Sequence, residues 1–155
     1  MQFQLMDKNS KIPVDLFCKD AEEIANEVYK GQQATRGKAN KPTQIRKFYD
    51  EVVSFDTRLR SADEKTKNDE FQAILPYLKM LNAKAAYAEA RELITREFRD
   101  FLSQGLKQIT TPQSFQVFVH LFEAFMGYYK YLDVKQEAAQ GTVPPRTNNS
   151  QVGRK

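Results

Sequence analysis

With 155 residues, 41% of them hydrophobic, and with eleven phenylalanines and seven tyrosines, the chain has the material for one domain with a real core. Six glycines and no tryptophan argue against a turn-rich all-β design; the single cysteine, Cys18, excludes an internal disulfide and a CxxC zinc site, and the single histidine, His120, leaves few routes to metal binding or to a Cys–His nucleophile. The net charge of +4 is unevenly spread: residues 1–30 carry −2, residues 31–60 carry +4, residues 61–100 carry −1 and residues 101–155 carry +3, a modest pointer to a polyanionic partner.

The start of the chain, MQFQLMDKNSK, places Asp7 and Lys8 inside any apolar stretch, so it does not read as a signal peptide, and residues 1–12 are expected to be a flexible lead-in. No run approaches the roughly 18 apolar residues of a membrane span, so a soluble, cytoplasmic protein with no membrane partner is expected. After Pro13, the residues Phe17, Ala21, Ile24, Ala25 and Val28 recur at helical spacing and predict a helix over about residues 14–29, ended near Gly31. Residues 31–41, GQQATRGKANK, form a basic loop without an acid, which fits either a phosphate-contacting element or a solvated linker.

A better-defined helix follows. Thr43, after Pro42, is placed to cap it, and Ile45, Phe48, Tyr49, Val52, Phe55 and Leu59 make one apolar stripe, with Arg46, Lys47, Asp50, Glu51 and Arg58 off it. Ser61, with Glu64 three residues on, could cap the next helix. Phe71, Ile74, Leu75, Leu78, Leu81, Ala85 and Ala88 continue a single stripe through Pro76, which predicts a kinked helix or two helices meeting there. The helical pattern runs on through AREL, with a break near Thr95, and then through Phe98, Phe101, Leu102 and Leu106. Thr111 and Pro112 are a favoured cap and first helical residue, and the segment SFQVFVHLFEAFMGYYKYLDV, apolar on most sides, is expected at the centre. The fold class is therefore all-α: a single helical bundle of five or six helices over residues 13–136, followed by a disordered tail over 137–155.

Nothing in the chain reads as a reaction centre. There is no phosphate-binding glycine loop, GxSxG, HExxH or EF-hand loop; the acids lie on polar helix faces, and His120 and Cys18 read as core or packing residues. No enzyme, cofactor or metal is expected. Among the cations, Arg46 has Asp50 and Lys47 has Glu51 at neutralising spacing; Arg60 has Asp56 and Glu64, and Lys130 has Asp133. Arg58, Lys79, Lys84 and Arg91 have no acid three or four residues away, and are better candidates for phosphate. Lys84, Tyr87 and Arg91 share one stripe among alanines, where a nucleic-acid backbone could approach closely and Tyr87 could stack or hydrogen-bond a sugar; packing of Tyr87 on another helix is the alternative, and composition leaves both open.

The blocks KPTQIRKFYDEV, LKMLNAKAAYAEAR and SFQVFVHLFEAFMGYYKYL, in this order over roughly residues 40–132, resemble the small subunit of type III-A CRISPR effector complexes, the Csm complexes. The resemblance implies a helical, non-catalytic subunit that stacks in several copies beside the backbone subunits and holds guide and target RNA through sugar and phosphate contacts, in a complex with a large polymerase-like subunit. It carries over Arg46, Lys47, Lys84, Tyr87, Arg91 and Lys130 as RNA-facing residues; the residues themselves add Lys41, Arg58 and Lys79. Many relatives have a histidine after the tyrosine of the last block where this chain has Lys130, so no role of that histidine is transferred. Backbone contacts suit a subunit repeated along a guide of arbitrary sequence, because they do not read bases. The other readings are a helical protein–protein scaffold, or the equivalent small subunit of a type III-B complex.

Overall fold

The computed structural model describes residues 1–139 and 141, and these are all-helical apart from turns and extended segments, with no strand among the described residues. A π-helical turn, Leu16–Asp20, leads into α1 (Ala21–Ala34); α2 (Pro42–Arg60), α3 (Lys67–Lys79), α4 (Leu81–Ala90), α5 (Arg96–Gln108) and α6 (Pro112–Ala139) follow. The bundle is built around α6, which packs on α1, α2, α3, α5 and the π turn and buries nine side chains, among them Phe115, Phe118, Phe122, Phe125 and Tyr129. The expected central position of this segment is thus met.

Helix boundaries follow local chemistry, in several places differently from the sequence expectation. Instead of stopping near Gly31, α1 runs to Ala34 and closes with a Schellman motif: the Arg36 N–H donates to Gln33 O (3.0 Å) and the Gly37 N–H to Gln32 O (2.8 Å), with Arg36 and Gly37 both at positive φ. Thr43 does not cap α2. Pro42, whose ring presets a helical φ, takes the first helical position and Lys41 the cap, with no side-chain cap bond. Ser61 ends α2 rather than starting α3, its hydroxyl donating to Thr57 O at 2.9 Å. Pro76 lies inside α3, and the two helices meet four residues later at Met80. Pro76 and Gln72, whose carbonyl would have received the missing N–H, are both exposed, so solvent can serve that carbonyl and the helix continues. AREL is not helical throughout: a second Schellman motif, with Glu92 at φ 60°, stops α4 at Ala90, and the break near Thr95 is present, Thr95 being the extended cap residue of α5. Thr111 and Ser114 cap α6 reciprocally, the Ser114 N–H donating to Thr111 Oγ1 (3.1 Å) and the Thr111 N–H to Ser114 Oγ (2.9 Å).

The N-terminal residues expected as a flexible lead-in are tied down. Phe3 and Leu5 are buried, and Gln104 and Gln108, one turn apart on α5, act as a substitute strand for them. Their side-chain oxygens accept from Phe3 N–H (3.3 Å) and Leu5 N–H (2.8 Å), and their amides donate to the carbonyls of Met1 (2.7 Å) and Phe3 (3.0 Å). At the other end α6 extends three residues into the segment expected as a disordered tail; residues 140 and 142–155 of that expectation lie outside the described residues.

The core is aromatic. Phe98, Phe101, Phe118, Phe122, Phe125 and Tyr129 form one chain of contacts, with Phe101–Phe125 stacked at 5.0 Å and Phe125–Tyr129 at 5.5 Å. Room for it comes from Gly105 on α5, against which the Phe118 ring lies so closely that any Cβ would overlap it.

Candidate nucleic-acid interface

Two cross-helix ion pairs set α2 against α3 and α4. Arg58 on α2 binds Glu70 on α3, and Glu51, two turns back along α2, binds Lys84 on α4. The two segments therefore run antiparallel, and the N-terminal end of α2 lies beside the C-terminal end of α4. At that end the chain crossing from α1 is locked by Asn40, which is fully buried at φ 58°. Its N–H donates to Leu93 O (3.0 Å), its side-chain amide to Thr95 Oγ1 (2.7 Å) and Val28 O (3.0 Å), and its Oδ1 accepts from Thr95 N–H (2.8 Å). Its carbonyl accepts the hydroxyl of Tyr129, whose pKa is raised chiefly by burial, so the phenol stays protonated and donates. One residue thus joins α1, α4, α5 and α6.

Lys41, next to Asn40, is consequently held near Arg91, two residues before Leu93, and Lys130 follows Tyr129 at the same end of the bundle. Lys47 is one turn from Glu51 on the face that meets Lys84. Tyr87 projects with 63% of its surface exposed, and the Arg91 guanidinium lies over its ring at 5.6 Å and donates to its hydroxyl at 3.3 Å. Packing of Tyr87 on another helix, one of the two alternatives, is not what the structure shows.

Four acids on and beside α2 and α4 are already engaged. Asp50 pairs with Arg46 (3.8 Å), Glu51 with Lys84, Glu89 with Arg99 (2.8 Å) and Glu92 with Lys38 (3.7 Å). Among the described residues this leaves Lys41, Lys47, Arg91 and Lys130 exposed and without a carboxylate in ion-pair range. The expected Lys47–Glu51 and Lys130–Asp133 pairs do not form, because Lys84 takes Glu51 and no contact joins Lys130 to Asp133. Arg46–Asp50 and Arg60–Asp56 (3.0 Å) form as spacing predicts.

Of the four cations without a local acid, three find partners across elements, which helix spacing cannot reveal. Arg58 is used by Glu70 and Lys84 by Glu51. Such exposed pairs contribute about 1 kcal/mol or less, so a phosphate could recruit either cation at little cost. Lys79 is different: its ammonium donates to Leu106 O, and to Ile109 O at 3.4 Å, neutralising the carbonyl end of α5, and burial pulls its pKa below the ordinary lysine value. Replacing Lys79 by methionine is expected to lower stability by about 1–2 kcal/mol, read by chemical denaturation. A variant as stable as the wild type would show that the ammonium does not hold the end of α5. Arg58 lies two turns along α2 from Glu51, on the side away from Lys41.

His120 stacks edge-on against Phe17 at 6.0 Å, and no group of three or more His, Cys, Asp or Glu among the described residues could hold a metal ion. No helix among them is long and apolar enough to cross a membrane. The organising residue that sequence reasoning missed is Asn40. The only local hint was its place in the loop, since asparagine tolerates the left-handed conformation.

The described residues form an all-helical bundle that leaves Lys41, Lys47, Tyr87, Arg91 and Lys130 exposed. The family described as Csm2 Type III-A matches residues 12–135, and the chain belongs to that family, the small subunit of type III-A CRISPR complexes, which associates with the other Csm subunits. The family is non-catalytic. Neither a curated protein nor a solved structure matches the chain.

Proposed function

We propose that this subunit grips the sugar–phosphate backbone of guide and target RNA, without reading bases, through the end formed by α2 and α4, and that several copies stack along the complex beside the backbone subunits and the large polymerase-like subunit, in the cytoplasm. Lys41, Lys47, Arg91 and Lys130 supply free charge, Arg46 and Lys84 supply charge that a phosphate can take from Asp50 and Glu51, and Tyr87 offers an aromatic face to a sugar or base. The observation that carries this reading is that Asp50, Glu51, Glu89 and Glu92 are engaged by other cations, while Lys41, Lys47, Arg91 and Lys130 stay exposed and without an ion-pair partner. A modest charge per copy suffices when copies act on one strand, because linked sites raise avidity.

The test is RNA binding by the assembled complex carrying Lys84→Ala and Arg91→Ala together. Weaker binding is expected with the fold intact, and the slope of log affinity against log salt should fall by about 0.7 for each phosphate that is no longer neutralised. Unchanged affinity and slope would remove both residues from the interface. A protein–protein scaffold is the second reading, favoured by the exposed Tyr77 and Met80 on α3 and at its junction with α4 (56% and 46% exposed). It predicts that Tyr77→Ser with Met80→Ser releases the subunit from the complex while leaving affinity of the free subunit for RNA unaltered.

A further inference from the structure

A polar cleft of about 450 Å³ opens between the last turns of α1 and α6, a volume within the range of small-ligand sites. One wall is a single face at the end of α1, where Tyr29, Gln32, Gln33 and Arg36 follow the i, i+3, i+4, i+7 spacing. The other is Asp133, Gln136 and Glu137 on α6. The Gln33 amide donates to Gln136 Oε1 at 3.3 Å and ties the two walls together. Lys130, one turn before Asp133 on α6, puts the cleft beside the proposed RNA interface.

Two side chains of this cleft are deeply buried and short of partners. Tyr29 is 7% exposed, and its hydroxyl has no hydrogen-bond partner among the described residues. Burial first, then Asp133 and Glu137, raise its pKa, so the phenol keeps a proton to donate. Gln32 is 9% exposed; its amide reaches Asn40 O only at 3.5 Å, and its Oε1 accepts no bond among the described residues. Buried polar groups normally have partners, and both of these atoms belong to residues lining one cleft. Asp133 and the exposed Arg36 also lack an ion-pair partner among the described residues. Arg36 stands at φ 55°, where glycine would suit the backbone better, so the fold alone does not account for an arginine there.

We propose that the cleft binds one unpaired guanine nucleotide: Asp133 accepts the N1–H and the N2 amine of the base, the Tyr29 hydroxyl donates to O6, and Arg36 holds the phosphate. The donor set selects this ligand. A carboxylate accepts two parallel N–H bonds, and guanine presents two adjacent donors beside a carbonyl, whereas adenine and cytosine offer one amine and uracil one N–H. Gln32 Oε1 is a further acceptor for the amine. The acids act on the buried Tyr29 and the cation is exposed, so the base enters first and the phosphate stays at Arg36. An arginine side chain from a protein partner also carries paired donors, but Arg36 repels it, while the same residue attracts a ligand with a negative end. This site goes beyond the backbone grip, which reads no base, and free nucleotides test it whether or not that grip exists.

The test titrates the full chain with GMP, AMP, CMP and UMP and follows the NMR resonances of the Tyr29 ring and the Gln32 side-chain amide. GMP is expected to bind about tenfold more tightly than the other three. Arg36→Gly, which φ 55° favours, is expected to weaken GMP about tenfold, and Arg36→Lys to keep most of the affinity. Asp133→Asn is expected to lose the preference for GMP and to favour xanthosine monophosphate, which has a carbonyl in place of the guanine amine; a merely structural role of Asp133 would not produce that exchange. A single-stranded pentanucleotide with one central guanine separates the sources: binding tighter than GMP assigns the nucleotide to an RNA strand, equal binding to the free nucleotide. Signals of Tyr29 and Gln32 that stay still up to about 10 mM GMP, or that move equally with all four nucleotides, would overturn the proposal. So would signals that move with arginine amide and not with GMP, which would give the cleft to a protein side chain.

Discussion

Gly105→Ala is expected to lower stability by about 3 kcal/mol, which for a domain of this size lowers the melting temperature by roughly 6–12 °C. The substitution is usually favourable inside a helix, by up to about 1 kcal/mol. Here a methyl would overlap the Phe118 ring, and that ring cannot retreat, being held between Phe101 (5.8 Å) and Phe122 (5.9 Å) with no exposed surface of its own. Gly127 on α6 is the internal control. It is also in mid-helix, but a Cβ there meets nothing within 4 Å, so Gly127→Ala should gain about 0.5–1 kcal/mol by propensity alone. Calorimetry of the two variants separates packing from propensity. A Gly105→Ala protein as stable as the wild type would show that the α5–α6 contact is looser than described.

Asn40→Ala is expected to cost about 4 kcal/mol. It removes the acceptor of the part-buried Thr95 N–H and the two amide bonds to Thr95 Oγ1 and Val28 O, each bond contributing about 1 kcal/mol and the part-buried N–H losing its partner. Alanine at φ 58° adds a further penalty of about 1 kcal/mol that asparagine largely escapes. Asn40→Gly, which relieves the backbone but not the hydrogen bonds, should recover only that smaller part. Denaturation midpoints of the two variants measure the split; equal stability of wild type and Asn40→Ala would sink the assignment of Asn40 as the joint of the bundle.

The helices were legible because their apolar stripes have the 3.6-residue period: the stripe from Ile45 to Leu59 is α2, and Phe98 to Leu106 lie on α5. Thr111 and Pro112 marked the start of α6 correctly because that cap is made by residues three apart. The misreadings share a cause, in that each depends on partners remote in sequence. Gln104 and Gln108 carry no pattern that announces a pairing with Phe3 and Leu5 across the chain. Lys84 and Arg58 looked unpaired because Glu51 and Glu70 lie on other helices. Lys79 looked available because a helix end, which no acid marks, receives its ammonium. The proposed RNA-facing residues on α4 were readable as one stripe, since Lys84, Tyr87 and Arg91 follow helical spacing; their adjacency to Lys41 was not, because it runs through Asn40 and Leu93.

Asn40 also bears on how tightly a small cationic surface could hold a ligand. Lys41 and Arg91 stand on segments joined by a backbone hydrogen bond and buried amide contacts, so their separation is set before any ligand arrives. A site assembled from independent loops would lose backbone freedom at each binding event, roughly 1–2 kcal/mol for every residue ordered. In this bundle that ordering is completed during folding, and only the long side chains of Lys41 and Arg91 remain to be immobilised in the proposed RNA complex.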